Sequence, residues 1–238
     1  MNKVVYTVLM GDYDFIFPPA EIEGDIDYIV FTNRKDFKVK GWVTREIDCS
    51  IINTFEPIKA NRHIKMLPHK YLQDYDVSIY VDSNIRVMKR IKDLFEDFLA
   101  SGKDVGLLKH PLRNSVYEEI DACIMLGKVR SKDKLLQEYE RYLEAGFKDS
   151  AGLTENNVII RKHHQKDVIE AMNLWWDCFE MSAGRDQISL PYVREKCTLN
   201  EYVYPFNTRV ENHHFKVYPH KKTIGLLIWV HTFMQKAQ

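Results

Sequence analysis

The stretch VSIYVDSN, residues 77–84, decides the fold prediction. Residues 77–81 carry the β-branched and aromatic side chains that buried strands prefer. Asp82 and Asn84 follow where the strand ends, and in an extended chain residues two apart point to the same side. Both side chains can therefore reach one Mg²⁺ or Mn²⁺ ion, which completes its shell with water and substrate phosphate. The alternative is a plain turn, since all three residues 82–84 are common in turns.

Short apolar runs alternate with amphipathic stretches along the rest of the chain, which predicts an α/β protein. The 238 residues suit one large α/β domain or two small ones. Further strands are predicted at 4–9, 27–33, 42–47, 85–88, 105–108 and 158–160. Helices are predicted at 57–71, 91–99, 131–145 and 167–181, and another begins near 184. The apolar residues 224–233 are predicted to pack as a strand or a short helix.

Composition excludes several classes of protein. The net charge is zero and the pI is near 7.1, so nothing in the charge balance calls for nucleic acid. The four cysteines, at 49, 123, 178 and 197, form no CxxC pair, which argues against zinc and redox motifs. With no signal peptide and no apolar run of about 20 residues, we expect a cytoplasmic protein without a transmembrane segment.

Two segments beside the 77–84 strand are candidates for donor binding. Gly11–Asp14 follows a predicted strand, and ligands of open α/β sheets bind at such strand ends. Tyr13 could stack on a nucleotide base there, with Asp14 on a polar edge, although the segment would equally serve as a connection. Arg62 and Lys65 lie three apart on one helical face and could hold a diphosphate, unless that face is simply solvated.

Other polar residues follow the later strands and helices. His110 could contact an acceptor or a phosphate, or be a neutral structural histidine. Glu155 lies in a polar loop and could act as a general base, although a plain turn has the same composition. The run 185–187 begins a helix, where free N–H groups favour anions, and Asp186 could be only its cap. A late histidine is a further metal-ligand candidate: His213, His214, His220 or His231.

Taken together, these segments resemble one family. The resembling segments are 5–14, 31–42, 62–69, 80–84, 110–119, 152–156 and 185–189. They resemble the glycosyltransferase-like domain known as DUF616, whose plant members include TOD1 and MUCI70 type proteins. The resemblance covers roughly residues 3 to 195. It implies a single GT-A-like, Rossmann-like domain with a mixed, mostly parallel sheet flanked by helices, and residues 200–238 as an extension packed on it.

The resemblance also implies roles for individual residues. Asp82 matches the position of the metal ion, but Asn84 replaces a second acid and should weaken metal binding. A C-terminal histidine, His213 or His214, would complete the metal shell. The predicted donor-binding residues are Tyr13, Asp14, Arg62, Lys65, Asp82, Ser83, Asn84, His110 and Arg185. The predicted catalytic residues are Asp186, Glu155 and Gln187, and the predicted metal ligands are Asp82, Asn84 and His213.

The expected function is sugar transfer from a UDP- or GDP-sugar to a hydroxyl of a glycan or lipid-linked acceptor, in surface polysaccharide or glycan synthesis. A Mn²⁺ or Mg²⁺ ion, Arg62 and Lys65 would stabilise the leaving diphosphate. If the anomeric configuration inverts, Asp186 is the preferred base over Glu155. If it is retained, no strong base is needed, and Asp186 or Gln187 would only support the donor.

Two other classes of function stay open. The chain could be an inactive module that binds a nucleotide sugar or a glycan, and the neutral Asn84 favours that alternative. It could also be a metal-dependent nucleotidyltransferase, which would release pyrophosphate from a nucleoside triphosphate. Peripheral contact with a membrane is compatible with all of these functions.

Overall fold

The computed structural model describes residues 1–129, 131–182, 184–210, 212–221 and 223. Its strands are β1 (Lys3–Leu9), β2 (Ile26–Thr32), β3 (Val43–Glu46), β4 (Val77–Val81), β5 (Ile85–Val87), β6 (Val105–Lys109), β7 (Thr154–Arg161), β8 (Glu201–Tyr204) and β9 (Phe215–Val217). Its helices are α1 (Cys49–Thr54), α2 (Pro57–Met66), α3 (Ile91–Ala100), α4 (Val116–Met125), α5 (Lys132–Glu144), α6 (Lys166–Glu180) and α7 (Asp186–Cys197).

Among the described residues, seven strands form one sheet in the order β3-β2-β1-β4-β7-β6-β8. Strand β7 runs antiparallel to both of its neighbours, and every other pair in the sheet is parallel. Strands β5 and β9 form a separate antiparallel ribbon. The prediction of a mixed, mostly parallel sheet flanked by helices is therefore confirmed.

The central strands are apolar on both faces because both faces are covered. On β1, Val4, Tyr6 and Val8 face the core that contains residues of α2 and α4 to α7, while Val5 and Leu9 face the core of α3. This is the pattern expected of strands in a doubly covered sheet, where hydrophobic residues do not alternate with polar ones. The paired tryptophans of α6 are buried in the first core, as their sequence pattern favours.

Several boundaries differ from the sequence prediction. Strand β7 begins at Thr154, so residues 154–157 are strand and not the polar loop that their composition indicates. Their backbone pairs with β6, where Leu108 lies opposite Glu155, and this pairing outweighs the local preference for a turn. Helix α2 ends at Met66 and not at the predicted residue 71, because Pro68 lacks the backbone N–H that would continue the helix, and Pro68–Lys70 form a short 3-10 turn.

The predicted C-terminal extension, residues 200–238, is described only in part. Its β8 joins the edge of the main sheet, and its β9 pairs with β5. The predicted strand or helix at 224–233, with His231, lies outside the described residues. No helix in the described part of the chain is long and apolar enough to cross a membrane.

Gly106 on β6 is a test of the packing between sheet and helix. A Cβ atom added there would lie 3.1 Å from Ile160, 3.1 Å from Tyr204 and 3.2 Å from Phe98. We expect Gly106→Ala to lower the free energy of unfolding by about 1–3 kcal/mol, since overpacking strains a tight core. Urea denaturation of both variants provides the measurement, with Gly24→Ala, which has nothing within 4 Å, as the control. Equal stability of the two variants would contradict this packing.

Candidate active site

The site lies at the edge of the sheet where its parallel strands end. Asp82 directly follows β4, and its backbone N–H donates to the carbonyl of Asn157 on β7 (2.9 Å). The hydroxyl of Tyr80 donates to Asp82 Oδ1 at 2.7 Å. These contacts hold a carboxylate whose side chain is 30% exposed at the mouth of the crevice.

Two cations of α2 lie beside this carboxylate. Lys65 Nζ is 3.6 Å from Asp82 Oδ1 and 2.7 Å from Asp186 Oδ2. Arg62 Nε lies 3.1 Å from the same oxygen of Asp186. The Lys65 side chain is only 2% exposed, so this is a built charge cluster and not the solvated helix face that its sequence also allowed.

Buried hydrogen bonds fix the backbone of Lys65 and Asp186, two residues of this cluster. The carbonyl of Lys65 accepts bonds from the Tyr6 hydroxyl (3.0 Å) and from Arg161 Nη2 (2.8 Å). The carbonyl of Asp186 accepts from Asn156 Nδ2 at 3.1 Å. Sequence reasoning missed Arg161, although an arginine ending the apolar run of β7 was a usable signal. It is fully buried and fixes the end of α2 over the sheet.

Asp186 and Glu155, the two predicted bases, are both engaged by cations. Burial alone would raise the pKa of Asp186, but Arg62 and Lys65 outweigh it and hold that pKa well below its usual range. Glu155 Oε1 lies 2.7 Å from Arg209 Nε. The lowered pKa makes Asp186 a poor proton acceptor, and the role of either carboxylate as general base stays a prediction.

Residues 218–221, which we call the strap, form the other side of the site. Asp14, 2% exposed, accepts hydrogen bonds from Ser83 Oγ (2.8 Å), His220 Nδ1 (2.8 Å) and the backbone N–H of Lys221 (3.0 Å). The hydrogen bond to Asp14 raises the pKa of His220. The ring of Tyr13 lies 5.5 Å from that of His220. The predicted donor-binding residues 13, 14 and 83 are thus brought together.

The strap also binds Asn84, both through its side chain and through its backbone. Asn84 Nδ2 donates to the carbonyl of Tyr218 at 2.8 Å, and the N–H of Tyr218 donates back to the Asn84 carbonyl at 2.9 Å. A cleft of about 880 Å³ opens here, lined by Asp82, Asn84, Asn157, Thr208, Arg209 and His220 among others. This cleft is large enough for a nucleotide-sized ligand.

The predicted third metal ligand, His213, lies at the far end of the β5–β9 ribbon. Its side chain is exposed and its carbonyl accepts from the N–H of Lys89 (3.2 Å). His220 lines the cleft instead, and its Nδ1 is held by Asp14, which leaves Nε2 as the ring's second nitrogen. A carboxylate that orients a histidine in this way is typical of metal sites.

The donor set was tested for its fit to a divalent cation. Within the described ranges, no three His, Cys, Asp or Glu side chains are close enough to hold a metal by themselves. The cleft lining nevertheless offers one carboxylate, the Asn84 amide and one imidazole. Such a set suits a cation that keeps water or phosphate oxygens in its shell. The residues present fit a loosely held Mn²⁺ or Mg²⁺ ion, and the metal roles stay predictions.

The remaining predicted residues lie on the β6 side of the edge. Gln187 Nε2 donates to the carbonyl of Thr154. Arg185 Nη2 lies 3.4 Å from Glu119 Oε1, and Arg113 Nε lies 2.5 Å from Glu119 Oε2. This second group, with His110, adjoins the Asp82 cluster, because the charge of Asp186 also acts on Arg185.

Comparison with known families agrees with this geometry. The model of the TOD1/MUCI70 glycosyltransferase-like domain matches residues 51–220. The chain belongs to this family. The resemblance that the sequence motifs indicate is therefore confirmed, and the match includes Arg62, Lys65, Asp82, Asp186 and His220. No curated protein matches this TOD1/MUCI70-type chain by sequence.

Solved structures share the fold of this TOD1/MUCI70-type domain. One is the apo crystal structure of mouse xyloside xylosyltransferase 1, with a TM-score of 0.51, 8% identity, and 84% of each chain covered. Another is the apo structure of the bifunctional glycosyltransferase WbbM, with a TM-score of 0.51, 10% identity, and 84% of this chain but 38% of that chain covered. At these identities the likeness shows a GT-A-like fold, as predicted.

The pH dependence of the free energy of unfolding tests the role of the buried Asp186 charge. Because its pKa is depressed in the folded protein, its ion pairs stabilise the fold above the ordinary Asp pKa of about 3.9, and this stabilisation is lost as the pH falls through the folded pKa. We expect Asp186→Asn to lower the free energy of unfolding at pH 7 by about 3–5 kcal/mol, and this deficit should shrink below about pH 4.

Urea denaturation across this pH range measures the deficit. Asp93→Asn is the matched control, because Asp93 pairs on the surface with Arg90 and should change stability by about 0.5 kcal/mol or less. A deficit for Asp186→Asn that stays constant down to pH 2 would refute the role assigned to its charge.

Proposed function

We propose that this protein is a metal-dependent glycosyltransferase that moves a sugar from a nucleoside-diphosphate donor to a hydroxyl acceptor. The observation that carries the proposal is the position of Lys65 and Arg62, which are fixed by Asp186 beside the carboxylate of Asp82 at the ligand-binding edge of a GT-A-like sheet. Family membership supports the reaction class. The pathway, surface polysaccharide or glycan synthesis, and the cytoplasmic location stay predictions.

The charges of the cluster support the metal requirement. Lys65 and Arg62 face Asp82 and Asp186, and these carboxylates offset much of the positive charge, to which Arg185 also contributes. A cluster offset in this way attracts a diphosphate only weakly. A divalent cation held by Asp82, Asn84 and His220 would supply the missing positive charge and a Lewis acid for the phosphate oxygens.

Lys65, Arg62 and Tyr13 would bind the donor through side chains that are already in place before it arrives. Lys65 is locked by Asp186 and by its anchored backbone, and Arg62 keeps 24% of its side chain exposed toward a ligand. Cations fixed before the reaction stabilise charge on a leaving diphosphate without having to reorganise. Tyr13, 62% exposed beside the strap, is placed to stack on the nucleotide base.

Ion pairing of both candidate bases favours retention of the anomeric configuration. An inverting transfer needs a carboxylate that takes the proton of the acceptor hydroxyl. Asp186, the preferred base, is held ionised by Lys65 and Arg62 with a lowered pKa and is a poor candidate for that step, while Glu155 is paired with Arg209. In a retaining transfer, Asp186 and Gln187 would only support the donor side. Proton NMR of the first product would report its anomeric configuration directly.

The metal site is tested by titrating the protein with Mn²⁺ and measuring the free ion by EPR. We expect Asp82→Asn and His220→Ala to weaken Mn²⁺ binding about tenfold or more, since each removes a ligand. His213→Ala is the matched control and should bind as the wild type does. Loss of binding in His213→Ala with none in His220→Ala would reassign the third ligand.

Activity is tested by a thermal-shift panel of nucleotides and nucleotide sugars with Mn²⁺, followed by donor hydrolysis. A ligand that binds only the folded state raises the midpoint by mass action. We expect a UDP- or GDP-sugar to raise it and to be hydrolysed, and Asp82→Asn to abolish both effects. Binding without turnover would favour an inactive binding module. Pyrophosphate release from a nucleoside triphosphate would indicate a nucleotidyltransferase.

A further inference from the structure

A second cluster of charged residues lies where β6 ends, and the proposed transfer chemistry leaves it unused. Glu119 on α4 is 2% exposed and accepts contacts from two arginines, Arg113 at 2.5 Å and Arg185 at 3.4 Å. Arg113 also lies against His110, with 3.0 Å between Arg113 Nη2 and His110 Nε2. His110 itself is 6% exposed. Arg185 also interacts with Asp186, so this group is linked to the Asp82 cluster. Together the two have four cations, Arg62, Lys65, Arg113 and Arg185, and three carboxylates, Asp82, Asp186 and Glu119, which leaves a surplus of positive charge.

The contacts of His110 determine which ring nitrogen carries its proton. Its Nδ1 lies 3.2 Å from the backbone N of Leu112 and 3.0 Å from that of Arg113. Backbone N–H groups can only donate, so Nδ1 accepts and carries no proton. The proton of the neutral ring is therefore on Nε2. That N–H faces Arg113 Nη2, which is also only a donor.

Two donors thus lie side by side without an acceptor between them in the described part of the chain. Moving the ring proton to Nδ1 would only transfer the conflict to the two backbone N–H groups. Protonating the ring would make it worse, and burial together with Arg113 lowers the pKa of His110. An oxygen that accepts from both Nε2–H and Nη2–H would satisfy the pair, and an anionic oxygen would also balance the surplus charge.

The pair lies on the same sheet edge as Asp82. The backbone N–H of His110 bonds to Leu153, just before β7, and that of Asp82 bonds to Asn157 within β7. The four residue steps from Leu153 to Asn157 span about 13 Å of extended chain. Arg209, 61% exposed and among the lining residues of the cleft, influences the pKa of His110. The pair therefore lies on the β6 side of the site, beside the cleft wall that includes Arg209, and is not itself among the lining residues.

We propose that His110 and Arg113 bind an anionic group of the acceptor, a carboxylate or a phosphate that is not the reacting group. That the ligand is the substrate that accepts the sugar rests on the proposed function. The anion site itself rests on the contacts described above. The enzyme would then select acidic acceptors over neutral ones.

The test is a titration of the ¹⁵N-labelled full chain, without nucleotide, followed by NMR chemical shifts. The probes are methyl glucuronide, glucose 6-phosphate and the neutral methyl glucoside. His110→Asn keeps a side-chain acceptor for the two N–H groups but removes the Nε2 donor. Arg113→Lys keeps the charge opposite Glu119 but loses the Nη2 donor. Lys109→Gln removes a neighbouring exposed charge and is the control.

We expect at least one anionic probe to bind about tenfold more tightly than the neutral glucoside, with shifts around His110. His110→Asn and Arg113→Lys should each reduce that affinity about tenfold, and Lys109→Gln should not. The probe that binds identifies the group as carboxylate or phosphate. Equal binding of all three probes, no binding, or an equal loss in Lys109→Gln would overturn the anion site.

Nucleotide binding separates this proposal from the glycosyltransferase proposal. The thermal shift of the wild-type chain with Mn²⁺ and a nucleoside diphosphate is measured beside the anion titration. An intact nucleotide shift with no anion binding would reject the acceptor site alone. Anion binding with no nucleotide shift would reject the transferase function while leaving the anion site in place.

Discussion

The buried ion pair between Lys65 and Asp186 is the contact on which the rest of the site depends. It joins residues 121 positions apart, and removing either partner would deprive the other buried charge of its nearest counter-ion. Because the carbonyls of both residues are also hydrogen-bonded, α2 and α7 are fixed against the sheet at one point. That point lies next to Asp82, so the same contact that joins two helices also sets the charge at the mouth of the cleft.

The edge of the sheet divides into two regions of different chemistry. On the β1 and β4 side, the strap at residues 218–221 returns to Asp14 and Asn84 and closes a cleft with polar and aromatic walls. On the β6 side, His110 and Arg113 present donors around a buried glutamate. Antiparallel β7 separates the two regions and contributes polar residues to both. A donor on one side and an acidic acceptor on the other would meet in front of this strand.

Local patterns predicted the parts of the site that depend on local structure. The apolar run before Asp82 marked a buried strand, and the spacing of Arg62 and Lys65 marked one face of a helix that ends before Pro68. Contacts between residues that are distant in sequence could not be predicted from such local patterns. The polar composition of residues 154–157 indicated a loop, yet they form a strand because their backbone pairs with β6, which is distant in sequence. For the same reason the sequence could not show that His220, and not His213, lines the cleft, and the metal role of either histidine stays a prediction.

The central claim is that a divalent cation beside Asp82 contacts the diphosphate of a sugar donor. Crystals soaked with Mn²⁺ and a nucleoside diphosphate sugar, measured near the manganese absorption edge, test it directly through anomalous scattering. The account predicts a peak at coordination distance, roughly 2 Å, from an Asp82 oxygen, with diphosphate oxygens in the same shell. Bound nucleotide sugar with no manganese peak at Asp82, or with the peak at another site, would contradict it.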